Sequence, residues 1–108
     1  MTAEQPHGMA IVTHVLKSAL DLQVLITLME DGTRWWDARA MSAKLAIDAA
    51  VVRTVLDRLC SKNLLDIRIT DDIRYRYRPG TPELAAASEA LLAAFRRDPS
   101  ALEKLITD

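Results

Sequence analysis

The sequence predicts a single, mainly α-helical domain that carries one small β-hairpin. Apolar residues recur at helical spacing along most of the 108-residue chain. Between Ile67 and Tyr77 the period changes to two, and arginines alternate with apolar residues, which is typical of a hairpin with one face on a core. Half of the residues are apolar, which suffices for one packed core without disulfides or metal.

Composition narrows the class of protein further. The chain has one cysteine, Cys60, so it forms no internal disulfide. No stretch is long and apolar enough to span a bilayer, and the polar start of the chain lacks the pattern of a secretory signal. We therefore expect a cytoplasmic protein without membrane contact or cofactor. Residues 1–8 are expected to form a disordered tail before a single domain over residues 9–108.

Three helices are predicted in the first half of the chain, each preceded by a capping residue. Their ranges are 19–30, 38–45 and 49–62, behind Ser18, Asp37 and Asp48. Asp31-Gly32 ends the first of them, and a tight turn at Ala46-Ile47 separates the other two. A helical segment from Met9 precedes them, with a break near Ser18.

The second half of the chain begins with the hairpin. It is predicted over residues 65–78, with Asp71-Asp72 at its centre, after a helix that ends at Asn63. Thr81-Pro82-Glu83 then starts a helix that runs to about Arg97, because it offers an N-cap, a proline in the first turn and an acid. Asp98-Pro99 starts a last short helix.

Two segments carry a resemblance to a known family. "AMSAKLAIDAAVVRTVLDRLCSKNLL" resembles the helix-turn-helix of winged helix-turn-helix transcriptional regulators, in the broad sense of MarR-like and PadR-like proteins, and "DIRITDDIRYRYRPG" resembles their wing. The resemblance covers Ala19 to Pro79. It implies a winged helix-turn-helix with added N- and C-terminal helices, with a winged-helix core over 19–79 and C-terminal helices over 81–107.

The resemblance also implies binding to double-stranded DNA as a homodimer. The recognition helix, residues 49–62, would lie in the major groove, and the wing would lie on the backbone or in the minor groove. Arg53 is the best candidate to pair with guanine, while the wing arginines would neutralise phosphates. The candidate DNA-binding residues are Arg39, Lys44, Ala50, Arg53, Thr54, Arg68, Arg74 and Arg76.

The distribution of charge fits such a module better than the net charge of −1 does. Residues 34–78 hold ten Lys/Arg and six Asp/Glu, a balance of +4, whereas the remainder of the chain carries −5. A basic central segment with acidic flanks is what a DNA-facing module would show.

An apolar stripe on the helices outside the winged-helix core suggests a dimer. It either packs back onto the same chain or forms a two-fold interface, and we favour the interface because two extra apolar helices must be covered. A two-fold dimer also places two recognition helices on a pseudo-palindromic site. The candidate dimerisation residues are Ile11, Val12, Val15, Leu84, Leu91, Leu92 and Phe95.

A winged-helix module that binds a protein partner instead of specific DNA is the alternative function. The acidic net charge and the apolar start of the recognition helix at Ala49, Ala50 and Val51 favour it. We expect no enzyme, since no nucleophile–base set or glycine-rich phosphate loop occurs, and no metal site.

The adjacent tryptophans Trp35 and Trp36 have two interpretations. We expect one to fill the core beside a brief strand over residues 33–36 and the other to cover a helix end. Stacking on a ligand or partner is the alternative.

Overall fold

The computed structural model describes residues 11–107, so the tail predicted over residues 1–8 lies outside them. In chain order the described elements are α1 (Ala19–Glu30), α2 (Ala38–Leu45), α3 (Ala49–Ser61), β1 (Leu65–Ile69), β2 (Ile73–Tyr77), α4 (Pro82–Arg97) and α5 (Pro99–Thr107). The predicted mainly helical chain with a hairpin is confirmed, and the element order is compatible with a winged-helix topology. None of the described helices has the length and apolar character needed to cross a membrane.

The helix starts follow the capping residues of the sequence. Ser18, Asp37 and Thr81 each accept a hydrogen bond from a backbone amide in the first turn of the helix that follows. Asp48 stands before α3 as predicted but makes no side-chain hydrogen bond to it. The predicted N-cap position of Asp48 is confirmed, and its side chain contributes no capping hydrogen bond.

The turn between α2 and α3 is built around a left-handed residue. Ala46 has φ 58° and ψ 45°, a conformation that costs about 1 kcal/mol for a residue with a Cβ atom. The Ser42 carbonyl accepts hydrogen bonds from the amides of Ala46 and Ile47, and the Ser42 hydroxyl donates to the Ile47 carbonyl. Ser42 thus holds the short turn that sets the start of α3 against α2.

The hairpin follows α3 directly. Asn63 ends that helix with φ 68°, the left-handed conformation that its sequence position predicts. β1 and β2 pair antiparallel, with Ile67 opposite Tyr75. On the other edge of β2, the backbones of Trp36 and Tyr75 exchange two hydrogen bonds of 2.7 Å. The predicted strand over residues 33–36 is reduced to this single bridge.

The apolar side of the hairpin is only partly covered, in contrast to the prediction. Tyr75 is buried and Ile73 is half-buried, so β2 lies on the core as expected. Ile67 and Ile69 are 40% and 68% exposed. β1 is the outer strand, because β2 lies between it and Trp36. The expectation of a buried apolar face is therefore wrong for Ile67 and Ile69, although Leu65 at the start of β1 is buried.

One core joins the helices to the base of the hairpin. α1 and α3 contribute the largest shares of the buried apolar side chains, and Trp36, Met41 and Tyr75 pack beside them. The fully buried apolar members are Val12, Leu22, Val24, Leu25, Leu28, Met41, Val52, Leu56, Leu59, Leu64 and Leu91.

The C-terminal helices belong to this same core. Ala87, Ser88 and Leu91 of α4 and Leu102 of α5 are buried within the single chain. Val12, before α1, is buried as well. The expectation that Val12 and Leu91 lie on a dimer interface is therefore wrong, because each is enclosed by its own chain.

A buried ion pair between Asp21 and Arg58 links α1 to α3. The side chain of Asp21 is 1% exposed, and Arg58 donates from Nη1 to both of its carboxylate oxygens, at 2.7 and 2.8 Å. The amide of Lys17 donates to the same carboxylate at 2.9 Å, and the Ser18 hydroxyl lies 3.3 Å away. A carboxylate that is removed from water requires such compensation.

Replacing Arg58 with alanine leaves the Asp21 carboxylate buried without its charged partner. We expect Arg58→Ala to lower the free energy of unfolding by about 3 kcal/mol, as measured by urea denaturation. Asp31→Ala is the matched control, because it removes half of the exposed Arg34–Asp31 ion pair of 4.0 Å and should cost less than about 1 kcal/mol. Equal losses for the two variants would contradict a special role for the buried pair.

Candidate nucleic-acid interface

The exposed side of α3 carries the residues that the sequence nominates for DNA contact. The apolar stripe of this helix faces the core, which leaves Ala50, Arg53, Thr54 and Asp57 exposed on the opposite side, as predicted. Among the described residues no carboxylate lies within ion-pair distance of Arg53. Its guanidinium N–H groups are therefore available to an acceptor on a binding partner. The Thr54 hydroxyl donates to the Ala50 carbonyl at 3.1 Å and retains only its acceptor capacity.

A cleft of about 440 Å³ separates α2 and α3 from the tip of the hairpin. We call it the α3–hairpin cleft. Arg39 and Arg53 line it from the helices, and Asp71 and Asp72 line it from the hairpin, with Asp37 at the start of α2. The structure therefore brings the predicted pair Arg39 and Arg53 together, in a cleft of mixed charge.

Lys44 does not join this surface. It lies in a separate depression with Glu30, Asp31 and Arg34, beside the end of α1. α2 is short, and five positions of a helix rotate a side chain by well over a third of a turn, so Lys44 and Arg39 face different ways. Contact of Lys44 with the DNA backbone stays a prediction.

Tyr75 ties the hairpin to α3. Its hydroxyl donates to the Asp57 carboxylate at 2.5 Å, although Asp57 itself remains exposed. Burial of the Tyr75 side chain, followed by this hydrogen bond, raises the pKa of Tyr75 to about 12. Asp57 therefore helps to set the position of β2 relative to α3.

The outer face of the hairpin, defined here by Asp66, Arg68, Arg74 and Arg76, lies opposite its apolar side. Arg68 is directly across from Arg74, and Asp66 is across from Arg76. Carboxylates accompany two of the three arginines: Arg74 lies 3.1 Å from Asp72, and Arg76 lies 3.4 Å from Asp66. The predicted wing arginines thus share one face, but two of them already have internal partners.

The two adjacent tryptophans take different places. Trp36 is buried in the core and confirms one half of the prediction. Trp35 lies on the hairpin instead of at a helix end, with the guanidinium carbons of Arg76 and Arg68 at 4.5 and 5.1 Å from its ring centroid. The sequence did not predict this contact. Pairing of a strand over residues 33–36 with β2 would have placed Trp35 on the side of the arginines, but this pairing consists of the single bridge at Trp36.

The remaining candidates for dimerisation are not enclosed by the chain. Ile11 is 45% exposed, while Val15, Leu84, Leu92 and Phe95 are half-buried. Leu105 of α5 is 59% exposed and borders a shallow apolar groove with Ala94 and Ala101.

The remaining groups of interest are the metal-ligating side chains and the thiol of Cys60. Within residues 11–107 no three of the His, Cys, Asp and Glu side chains come together in a way that could hold a metal ion. Cys60 is half-buried, and burial, followed by the charges of Asp57 and Asp66, raises the pKa of its thiol. A thiol with a raised pKa is protonated at neutral pH and is a poor nucleophile.

The chain matches no family model, no curated protein and no solved structure.

The Tyr75–Asp57 contact predicts a stability change at high pH. Below pH 10.0, the ordinary pKa of tyrosine, the hydroxyl is protonated in both states and its contribution is fully present. Because the pKa in the folded chain is raised to about 12, the unfolded chain loses its proton first and this contribution is lost between those values. The difference in free energy of unfolding between the wild type and Tyr75→Phe should therefore narrow over that interval. A constant difference would contradict the raised pKa of Tyr75, and with it the burial and the hydrogen bond that cause it.

Proposed function

We propose that the chain is a winged helix-turn-helix regulator of transcription that binds double-stranded DNA as a homodimer. In this proposal α3 enters the major groove, and the hairpin acts as a wing on the backbone or in the minor groove. The observation that carries it is the placement of Arg53 on the exposed side of α3, beside Arg39, on the same side of the chain as the tip of the hairpin. Helix, turn, helix and hairpin then present their polar groups to one elongated partner.

The start of α3 supports contact with bases. Arg53 has donors free for the two acceptors of guanine, and the methyl group of the exposed Ala50 is available to a thymine methyl. Thr54 offers an acceptor for an amino group of a base. In this proposal these three side chains of α3 distinguish base sequences.

The hairpin supports contact with phosphates. A phosphate that approaches the outer face competes with Asp72 for Arg74 and with Asp66 for Arg76. Since these ion pairs are partly exposed, their loss costs little. The wing would then contribute sequence-independent affinity that falls with salt.

The first experiment is selection from a random pool of duplex DNA at two salt concentrations. The proposal expects an enriched pseudo-palindrome and an affinity that falls as salt rises. In the same assay Arg53→Ala should relax the selected sequence at one position of each half-site, with a loss of about 1 to 3 kcal/mol on the best site. An unchanged preference would remove Arg53 from base recognition.

The wing is tested by the double variant Arg74→Ala/Arg76→Ala. It should weaken binding to all duplexes alike and reduce the slope of log affinity against log salt by about 2. Arg96→Ala/Arg97→Ala removes the same charge from the end of α4 and is the matched control. If both double variants lost the same affinity, general charge and not the wing would explain binding.

The homodimer is tested at Leu105, whose exposure permits substitution without unfolding the chain. Leu105→Glu should convert a dimer to a monomer in light scattering while the melting temperature of the isolated chain stays nearly unchanged. Ile69→Glu introduces the same charge at an equally exposed position on the hairpin and should leave the dimer intact. A monomeric wild type would remove the dimer from the proposal.

A protein-interaction module is the second candidate, and exposed apolar side chains favour it. Val51 at the start of α3 is 45% exposed, and Ile67 and Ile69 on the hairpin are uncovered as well. If the wild type bound no duplex at low salt, this function would take the place of the first. A partner would then be lost on Val51→Glu, whereas Arg53→Ala would leave it bound.

A further inference from the structure

Two like charges face each other on the outer face of the hairpin. Arg68 and Arg74 are cross-strand partners, an arrangement that destabilises a hairpin unless the charges are compensated. Arg74 has Asp72 at 3.1 Å. For Arg68, no carboxylate of the described residues lies within ion-pair distance. Its partner is the ring of Trp35, 5.1 Å from the guanidinium carbon.

Trp35 contacts an arginine from each strand. The guanidinium carbon of Arg76, on β2, lies 4.5 Å from the centroid of the same ring that Arg68 of β1 approaches. An aromatic ring attracts a guanidinium through its electron-rich face and accepts few of its N–H hydrogens. A carboxylate, by contrast, occupies those donors. Trp35 thus restrains two guanidinium groups. The donors of Arg68 remain available, whereas Arg76 also lies 3.4 Å from Asp66 and would exchange that partly exposed ion pair for a phosphate.

The backbone fixes Trp35 in this position. The neighbouring residue, Trp36, is held to Tyr75 by two hydrogen bonds of 2.7 Å and points into the core. Since successive side chains of an extended segment alternate, Trp35 points to the opposite side, which is the outer face of the hairpin. A half-buried ring on a fixed backbone is a preorganised platform for the arginines.

We propose that Trp35 is a positioning residue for phosphate binding, which holds Arg68 and Arg76 so that their N–H groups meet the phosphodiester backbone of duplex DNA. This inference rests on the proposed function, because it specifies how the wing of a DNA-binding chain contacts its partner. Guanidinium donors match phosphate oxygens in geometry, and restrained donors lose less entropy on binding than mobile ones. Arg74, beside Asp72, lies outside this unit.

The test compares two neutral substitutions at position 35. Trp35→Leu keeps apolar bulk and removes the ring, whereas Trp35→Phe keeps a smaller ring. A fluorescein-labelled duplex of mixed sequence is titrated with each protein at a series of salt concentrations. We expect Trp35→Leu to bind about fivefold more weakly and to lose about 1 from the slope of log affinity against log salt. Trp35→Phe should retain most of the wild-type affinity and most of the wild-type slope.

The slope of log affinity against log salt distinguishes a loss of arginine positioning from a loss of folding stability. Neither variant changes the charge of the chain, so a variant that only destabilised the hairpin would bind with the wild-type slope once folded. If the wild type binds with a salt-dependent affinity and Trp35→Leu matches it in affinity and slope, the inference is overturned and the proposed function stands. If the wild type itself shows no such binding, both are overturned.

A measurement on the unmodified chain covers the case in which Trp35→Leu does not fold. The Nε–H resonances of Arg68 and Arg76 should shift on addition of the same duplex, while that of Arg96 on α4 should not. Unshifted resonances of Arg68 and Arg76 in a complex that forms would overturn the inference.

Discussion

The ion pair between Asp21 and Arg58 is the constraint on which the arrangement of the other elements depends. A carboxylate that is 1% exposed tolerates only a position of α3 in which Arg58 reaches it. Arg53 lies five positions earlier on the same helix, so a rotation that points Arg58 at α1 turns Arg53 towards solvent. The contact that anchors α3 inside the chain therefore also selects the side that a partner would meet.

Tyr75 carries this constraint on to the hairpin. Its backbone pairs with Trp36, its ring lies in the core and its hydroxyl reaches Asp57 on α3. Three different groups of one residue thus fix β2 against three parts of the chain. The outer strand β1 lacks such a residue, which explains why Ile67 and Ile69 remain exposed while their partners on β2 do not.

Sequence patterns predicted the elements well and the contacts between elements poorly, for a physical reason. Caps such as Asp37 and the left-handed Asn63 are local devices, so a few neighbouring residues reveal them. The Asp21–Arg58 pair joins positions 37 apart and left no periodic signal. Leu91 shows the same limit. Its apolar spacing predicts that it is buried, but it does not indicate whether residues of its own chain or of a second chain bury it.

If the chain binds DNA as proposed, the carboxylates beside the arginines of the hairpin affect the strength of that binding. Asp66 lies within 3.7 Å of Arg78 and closer to Arg76, so a phosphate that contacts either of these arginines must displace an internal anion. Such exchange weakens binding to arbitrary DNA, whereas Arg53 on α3 gives up no ion pair when it meets guanine. Phosphate contacts form on any duplex, so in the proposed complex this exchange lowers specific and non-specific affinity alike. Discrimination between sequences would then depend on the base contacts of α3 and not on the hairpin.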